Sequence, residues 1–157
     1  MDIFPLHLIY GNYELTLDEK NRLLIPSEIR KAIDPATDGE AFFLVTGING
    51  KPWLYPEKYY ESMALERQSE MAPEEDFLAF DHMNFSTACR VEWDKQGRIL
   101  IPEKIVRKSR LEREVTVIGV RDHAEIWRRE EWMTYEEDLT KRNLEIAVRA
   151  RQKTMGM

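Results

Sequence analysis

Residues 13–33, YELTLDEKNRLLIPSEIRKAI, recur as residues 89–109, CRVEWDKQGRILIPEKIVRKS, at an offset of 76. Asp18 falls on Asp94, Arg22 on Arg98, Leu24 on Leu100, Ile25 on Ile101, Pro26 on Pro102 and Ile29 on Ile105. Leu15/Val91 and Leu23/Ile99 keep apolar character. Further along, the offset becomes 72: Gly47 matches Gly119, Leu54 matches Ile126, Tyr55 matches Trp127 and Tyr60 matches Trp132. The difference is absorbed in Asp34-Pro35-Ala36-Thr37, read as a loop, where an insertion costs little. A duplication of this kind means one supersecondary unit used twice, because a single copy cannot bury its apolar face alone. Two copies sharing one core are therefore expected.

Each copy opens with an alternating strand. Tyr13, Leu15 and Leu17 point one way and Glu14 and Thr16 the other, as Val91 and Trp93 do against Arg90 and Glu92. A tight connection follows, Asp18-Glu19-Lys20-Asn21-Arg22 or Asp94-Lys95-Gln96-Gly97-Arg98. Read as a three-residue hairpin loop, it demands a left-handed third position. Asn21 and Gly97 stand there, the two residue types that tolerate it best. Asp18–Arg22 and Asp94–Arg98 flank the turns, and a cross-strand ion pair would contribute about 0.2–1 kcal/mol. LLI or ILI forms a second strand, ended by Pro26 or Pro102, and a short helix follows with Ile29 and Ile33, or Ile105, on its buried side. AFFLVTG and VTVIGV, then WLYP and EIWR, complete each unit as paired strands. Copy one runs on into two acidic helices, PEKYYESMALERQSEM and PEEDFLAFDHM. Copy two ends in one long helical stretch from about Arg129 to Lys153, with Trp132, Tyr135 and Leu139 as its early apolar stripe. Its charged end, RNLEIAVRARQKTMGM, either frays or docks on a neighbouring chain.

The net charge of −6 on 157 residues argues, taken alone, against nucleic acid. Its distribution argues otherwise. Between 94 and 113 seven cations face only Asp94, Glu103 and Glu112, whereas between 57 and 81 eight acids face only Lys58 and Arg67. Segregated charge suits a protein with one polyanion-facing side, although two solvated helices of unequal charge would read alike. No apolar run reaches membrane-spanning length, and the opening segment MDIFPLHLIYGNYEL lacks a basic start and a long apolar centre, which predicts a cytosolic protein.

The double Asp-x-x-x-Arg-(three apolar)-Pro motif resembles that of the MraZ family of bacterial transcription regulators. Each copy looks like a SpoVT/AbrB-type unit, and the resemblance covers nearly the whole chain to about residue 140. DKQGRILIP is close to the family's second motif; DEKNRLLIP matches its first except for Asn21 in place of glycine, and Trp93 replaces a usual leucine. The resemblance implies an α+β, mainly β fold: two tandem AbrB-like swapped-hairpin units sharing one double-split β-barrel-like core, with flanking helices. It places unit 1 at 8–57, an acidic helical linker at 58–85, unit 2 at 86–130 and a C-terminal helix and tail at 131–157. It also implies a sequence-specific repressor of the division and cell-wall gene cluster. Such a protein would be a homo-oligomeric ring in the cytoplasm at the nucleoid, and would bind double-stranded DNA at short direct repeats in the promoter of its own operon.

Carried over to this chain, the DNA contacts fall on Lys20, Arg22, Lys95 and Arg98, within a frame set by Asp18, Asn21, Pro26, Asp94, Gly97 and Pro102. Arg22 and Arg98 have two readings. A guanidinium fork bonds a guanine edge or phosphate bidentately, or it only closes the hairpin on its aspartate. Lys20 and Lys95 have no structural duty at a loop tip, which points to phosphate. Because Lys20 aligns with Gln96, the copies are not equivalent readers. Arg30, Lys31, Arg107 and Lys108 are secondary candidates, since helix ends attract cations for dipole reasons alone.

Other chemistry has little support. His7, His82 and His123 lack ligand spacing, Cys89 is single and reads as a half-buried hydrophobe, and Ser27 lacks a nucleophile context. The expectation is no enzyme, no metal, no cofactor, no membrane and no small-molecule substrate. Two alternatives stand beside DNA-binding regulation: an AbrB-fold protein-interaction module whose DNA binding is weakened or lost, and an antitoxin-like regulator with a toxin partner, which fits the fold but not the duplication.

Overall fold

The structure, a computed structural model, describes residues 8–68 and 75–154. The opening segment with His7, the end of the first acidic helix and the start of the second, and the last three residues of the tail lie outside them. Copy one runs β1 (Ile9–Thr16), β2 (Arg22–Leu24), α1 (Ser27–Lys31), α2 (Pro35–Asp38), β3 (Ala41–Thr46), β4 (Pro52–Pro56) and α3 (Glu57–Gln68). Then come α4 (Glu75–Thr87), β5 (Cys89–Glu92), β6 (Arg98–Leu100), α5 (Glu103–Lys108), β7 (Glu114–Arg121), β8 (Ala124–Arg128), α6 (Arg129–Lys141) and α7 (Asn143–Thr154). The fold is α+β, with a mainly antiparallel sheet as its frame.

The two copies are interlocked rather than adjacent. A six-stranded sheet runs β1-β7-β8-β4-β3-β5, and a two-stranded sheet pairs β2 with β6. The first strand of each copy thus lies on the third strand of the other: β1 pairs with β7 over Ile9–Thr16, and β5 pairs with β3. Exchanging the copies leaves both strand orders unchanged, which defines a pseudo-twofold axis. Two cross-strand pairs mark it. Trp53 faces Glu125, its own equivalent at the offset of 72, and Leu23 faces Ile99, its equivalent at the offset of 76. Copying one chain segment twice therefore makes within one polypeptide the self-complementary contact that a dimer makes between two.

Alternation explains how the sheet is covered. On β3, Phe42 and Leu44 point into a core built by both copies, with Leu23, Ile25, Ile29, Val91, Ile99, Ile101, Ile105, Val117 and Ile126. Val45, beside Phe43, points to the opposite face, which α3 closes with Tyr60 and Met63. A strand buried on both faces reads as a continuous apolar run, and AFFLVT does. Leu23, Ile99, Ile101 and Phe42 are fully buried, so neither β2 nor β6 would keep its inner face dry without the other copy.

Three local features differ from the sequence-based expectation. Asp34–Thr37 is not a loop but most of α2: Asp34 accepts a hydrogen bond from the Ala36 amide at 3.1 Å, and Pro35 starts the turn with its fixed φ. Pro26 and Pro102 stand at the N-cap rather than inside the first turn, with φ near −53° and −55°, and their carbonyls receive the first amides of α1 and α5. The final helical stretch is two helices, α6 and α7, broken at Arg142, whose φ of −104° and ψ of 13° leave helical geometry. Among the described residues no helix is long and apolar enough to cross a membrane.

Candidate nucleic-acid interface

The repeated turns close as their residue types dictate. Asn21 has φ 61° and Gly97 φ 82°, and each donates its amide to the aspartate carbonyl three residues back, at 3.0 and 2.9 Å. The Asp18 carboxylate is the hub of the first turn. Its Oδ1 accepts the Lys20 and Arg22 amides at 2.8 Å each, and its Oδ2 accepts Arg22 Nε at 2.6 Å. Asp94 repeats this with the Gln96 amide at 2.9 Å, the Arg98 amide at 3.0 Å and Arg98 Nε at 2.9 Å. The Arg22 amide, helped by its guanidinium and the Lys20 amide, holds the Asp18 carboxyl down at about 2, and the Arg98 amide lowers Asp94 in the same sense. Both turns stay charged and closed across the physiological range.

Although each turn closes, the strands leaving it separate. The hairpin expected within each copy becomes a clasp between copies: the left-handed residue's carbonyl accepts an amide from the other motif, Ile25 to Gly97 and Ile101 to Asn21, at 2.9 Å both. These two bonds flank the Arg22–Leu100, Leu23–Ile99 and Leu24–Arg98 pairs. With Leu23 and Ile99 turned inward at 0% exposure, period-2 alternation turns Arg22, Leu24, Arg98 and Leu100 outward. A short two-stranded ribbon results, with the turn tips Lys20 and Lys95 exposed.

Each arginine closes its hairpin on its own aspartate, and the geometry leaves the outer end of its fork in place for a further contact. Each guanidinium uses Nε to fix itself on its own aspartate, and among the described residues the Nη groups of Arg22 have no hydrogen-bond acceptor. Arg98 Nη1 lies 4.0 Å from Asp18 Oδ2, beyond hydrogen-bond reach. Anchored at one end, the forks are held in orientation with their outer ends unspent. Arg30 is placed differently. Its Nε donates to the Ile25 carbonyl at 3.0 Å, and its guanidinium lies over the bare Cα of Gly97. Lys31, Arg107 and Lys108 are exposed at the ends of α1 and α5.

A second polar cluster sits where β4 meets β8. His123, 5% exposed, bonds Asp122 at 2.7 Å and Glu125 at 2.8 Å, and stacks on Trp53 at 3.9 Å. Tyr59 donates to Asp122, and Glu125 accepts from Trp127 Nε1 and Asn49. Burial works against a charged imidazole, yet the bonds to Asp122 and Glu125 outweigh it and raise His123. Both carboxyls are lowered despite burial, by their bonds to His123. The sequence gives His123 a surface or packing role without ligand spacing; it is packed, but its two carboxylate partners were not foreseen. Its signal is the two-residue step to Glu125 at the entrance of β8, a spacing that brings the two side chains to the same side of the chain.

Two copies of one strand–turn–strand–helix unit, each completed by the other's strands, make this a tandem AbrB-like protein with a swapped-hairpin core. The sequence matches the family described as "MraZ protein, putative antitoxin-like" over residues 8–81 and 84–154, one match per copy. It is 34% identical over 131 residues to the transcriptional regulator MraZ of Acetivibrio thermocellus, covering 83% of this chain and 88% of that protein. Against the transcriptional regulator MraZ of Clostridium botulinum identity is 36% over 132 residues, again 83% and 88%. With that of Pelotomaculum thermopropionicum, identity is 33% over 150 residues, 96% of this chain and all of the relative. The chain belongs to the MraZ family.

Proposed function

We propose that this chain is a DNA-binding transcriptional regulator that acts in the cytoplasm at the nucleoid. It represses the division and cell-wall gene cluster by binding short direct repeats upstream of its own operon. The observation that carries the reading is the β2–β6 ribbon, where both motifs bring Arg22 and Arg98 to one outward face between the exposed tips Lys20 and Lys95. A two-stranded ribbon fits the major groove, and anchored guanidinium forks suit guanine edges or phosphates. The names of the relatives support regulation of transcription. Lys31, Arg107 and Lys108 are placed to add backbone contacts.

One ribbon per chain, on a chain of net charge −6, binds a single site weakly. A ring of copies presents several ribbons to several boxes, and effective concentration multiplies the modest affinities. The exposed Phe77, Leu78, Met83 and Phe85 of α4 support self-association, since exposed apolar patches mark interaction surfaces. The test combines light scattering with mobility shifts on the gene's own upstream region, at two salt concentrations and with one box or several. Salt-sensitive binding that strengthens steeply with box number is expected. Salt-insensitive or absent binding would favour the protein-interaction reading, and equal affinity for one box and many would refute the ring.

A further inference from the structure

The outward face of the β2–β6 ribbon is not simply basic. Leu24 is 46% exposed and Leu100 57%, although the same strands bury Leu23 and Ile99 completely. In register, Leu24 stands opposite Arg98 and Leu100 opposite Arg22. The four side chains therefore form a checkerboard, with the leucines on one diagonal and the arginines on the other. Opposite Cβ atoms lie about 5 Å apart and next-but-one residues on a strand about 7 Å apart, so both leucines fit within about two base-pair steps. No folding role accounts for them: they are outside the core, while β-branched or polar residues would suit an exposed strand face as well.

We infer that Leu24 and Leu100 are specificity-determining contacts that read thymine C5-methyl groups in the major groove; this rests on the DNA-binding reading above. Two isolated leucines, each facing an arginine, make too little apolar area for a protein interface. The flanking Arg22, Arg98, Lys20 and Lys95 select a polyanion, and the thymine methyl is the apolar group that duplex DNA displays at its major-groove edge. In this arrangement the arginine diagonal takes guanine or phosphate while the leucine diagonal takes methyls. One ribbon can then recognise mixed A·T and G·C steps, and the unequal tips, Lys20 against Gln96, fix its orientation on the box.

The test uses the full chain and duplex DNA from upstream of its gene, prepared normally or with every thymine replaced by deoxyuridine, which removes the methyls and keeps base pairing. The natural chain is expected to bind the uridine duplex about fourfold more weakly per contacted methyl, the effect of leaving one methyl-sized group in water. The Leu24→Ser, Leu100→Ser double variant should bind both duplexes equally while keeping its salt dependence. If the natural chain binds both duplexes equally and salt-dependently, the methyl reading fails and DNA binding stands. If it binds neither duplex, the proposed function fails as well. Should the double variant misfold, the single Leu24→Ser and Leu100→Ser variants carry the same comparison, each expected to lose part of the uridine penalty; an unchanged penalty in both would overturn the assignment.

Discussion

Gly97→Ala tests how the two copies are clasped. Gly97 has φ +82°, and a Cβ there would lie 2.7 Å from Arg30 Cζ and 2.8 Å from Nε. Two costs follow. A left-handed alanine costs about 1–2 kcal/mol. Moving the guanidinium also breaks the Arg30 Nε–Ile25 carbonyl bond, a charged-donor bond worth about 1.5 kcal/mol at a half-buried site. The variant should therefore lose about 3 kcal/mol. In an Arg30→Ala background the second cost is already incurred, so the same substitution should cost only about 1–2 kcal/mol, leaving a coupling of about 1.5 kcal/mol. In copy two the residue equivalent to Arg30 is Val106, so Asn21→Ala should carry only the backbone cost. Urea unfolding at one fixed chain concentration measures all of these, because assembly would otherwise shift the midpoints. Equal losses from Gly97→Ala with and without Arg30 would refute the clasp.

Other perturbations follow from the same geometry. His123→Gln should cost about 2–3 kcal/mol where the charged cluster is intact. The raised His123 contributes fully below its ordinary 6.5 and loses its contribution as pH rises through its folded value; the lowered Asp122 and Glu125 contribute above their ordinary 3.8 and 4.5 and lose it as pH falls. The gap between natural and variant chains should thus be widest at roughly pH 5–6.5, between the ordinary carboxylate and imidazole values, and narrow as pH rises through the folded value of His123, which a series of urea midpoints from about pH 5.5 upward checks. Lys20→Ala and Lys95→Ala should each lower the slope of log affinity against log salt by about 0.9 if each tip neutralises one phosphate, with little change in sequence preference, read by mobility shift in a salt series. Leu23→Ala and Ile99→Ala should each cost about 2–5 kcal/mol, and the double variant should depart from additivity because the two side chains meet on the pseudo-twofold axis. Strictly additive losses in urea unfolding would count against that contact.

Short-range chemistry was legible in the chain. The left-handed positions at Asn21 and Gly97, the alternation of β1 and β5, the buried Ile29 and Ile105 and the strand-pair composition after each short helix all depend on residues within a few positions of one another. Around His123 the neighbours Asp122 and Glu125 were in view, but the outer members Tyr59, Asn49 and Trp53 come from the other copy, far away along the chain, so the buried cluster was not legible. The break at Arg142 did carry a signal, Asn143 directly after Lys141 and Arg142, but helix formers resume at Leu144 and a lone asparagine does not by itself tell an interruption from a continuous helix.

From the duplicated sequence alone it follows that two like units exist, which residue of each turn must be left-handed, and which face of each strand is apolar. That β1 lies on β7 and β5 on β3, and that β2 meets β6 so that Arg22, Leu24, Arg98 and Leu100 share one face, emerges only from the folded chain. Alternation fixes which way a side chain points, whereas the identity of the neighbouring strand depends on which partner buries the most apolar surface while satisfying every backbone hydrogen bond, and that is a property of the whole chain.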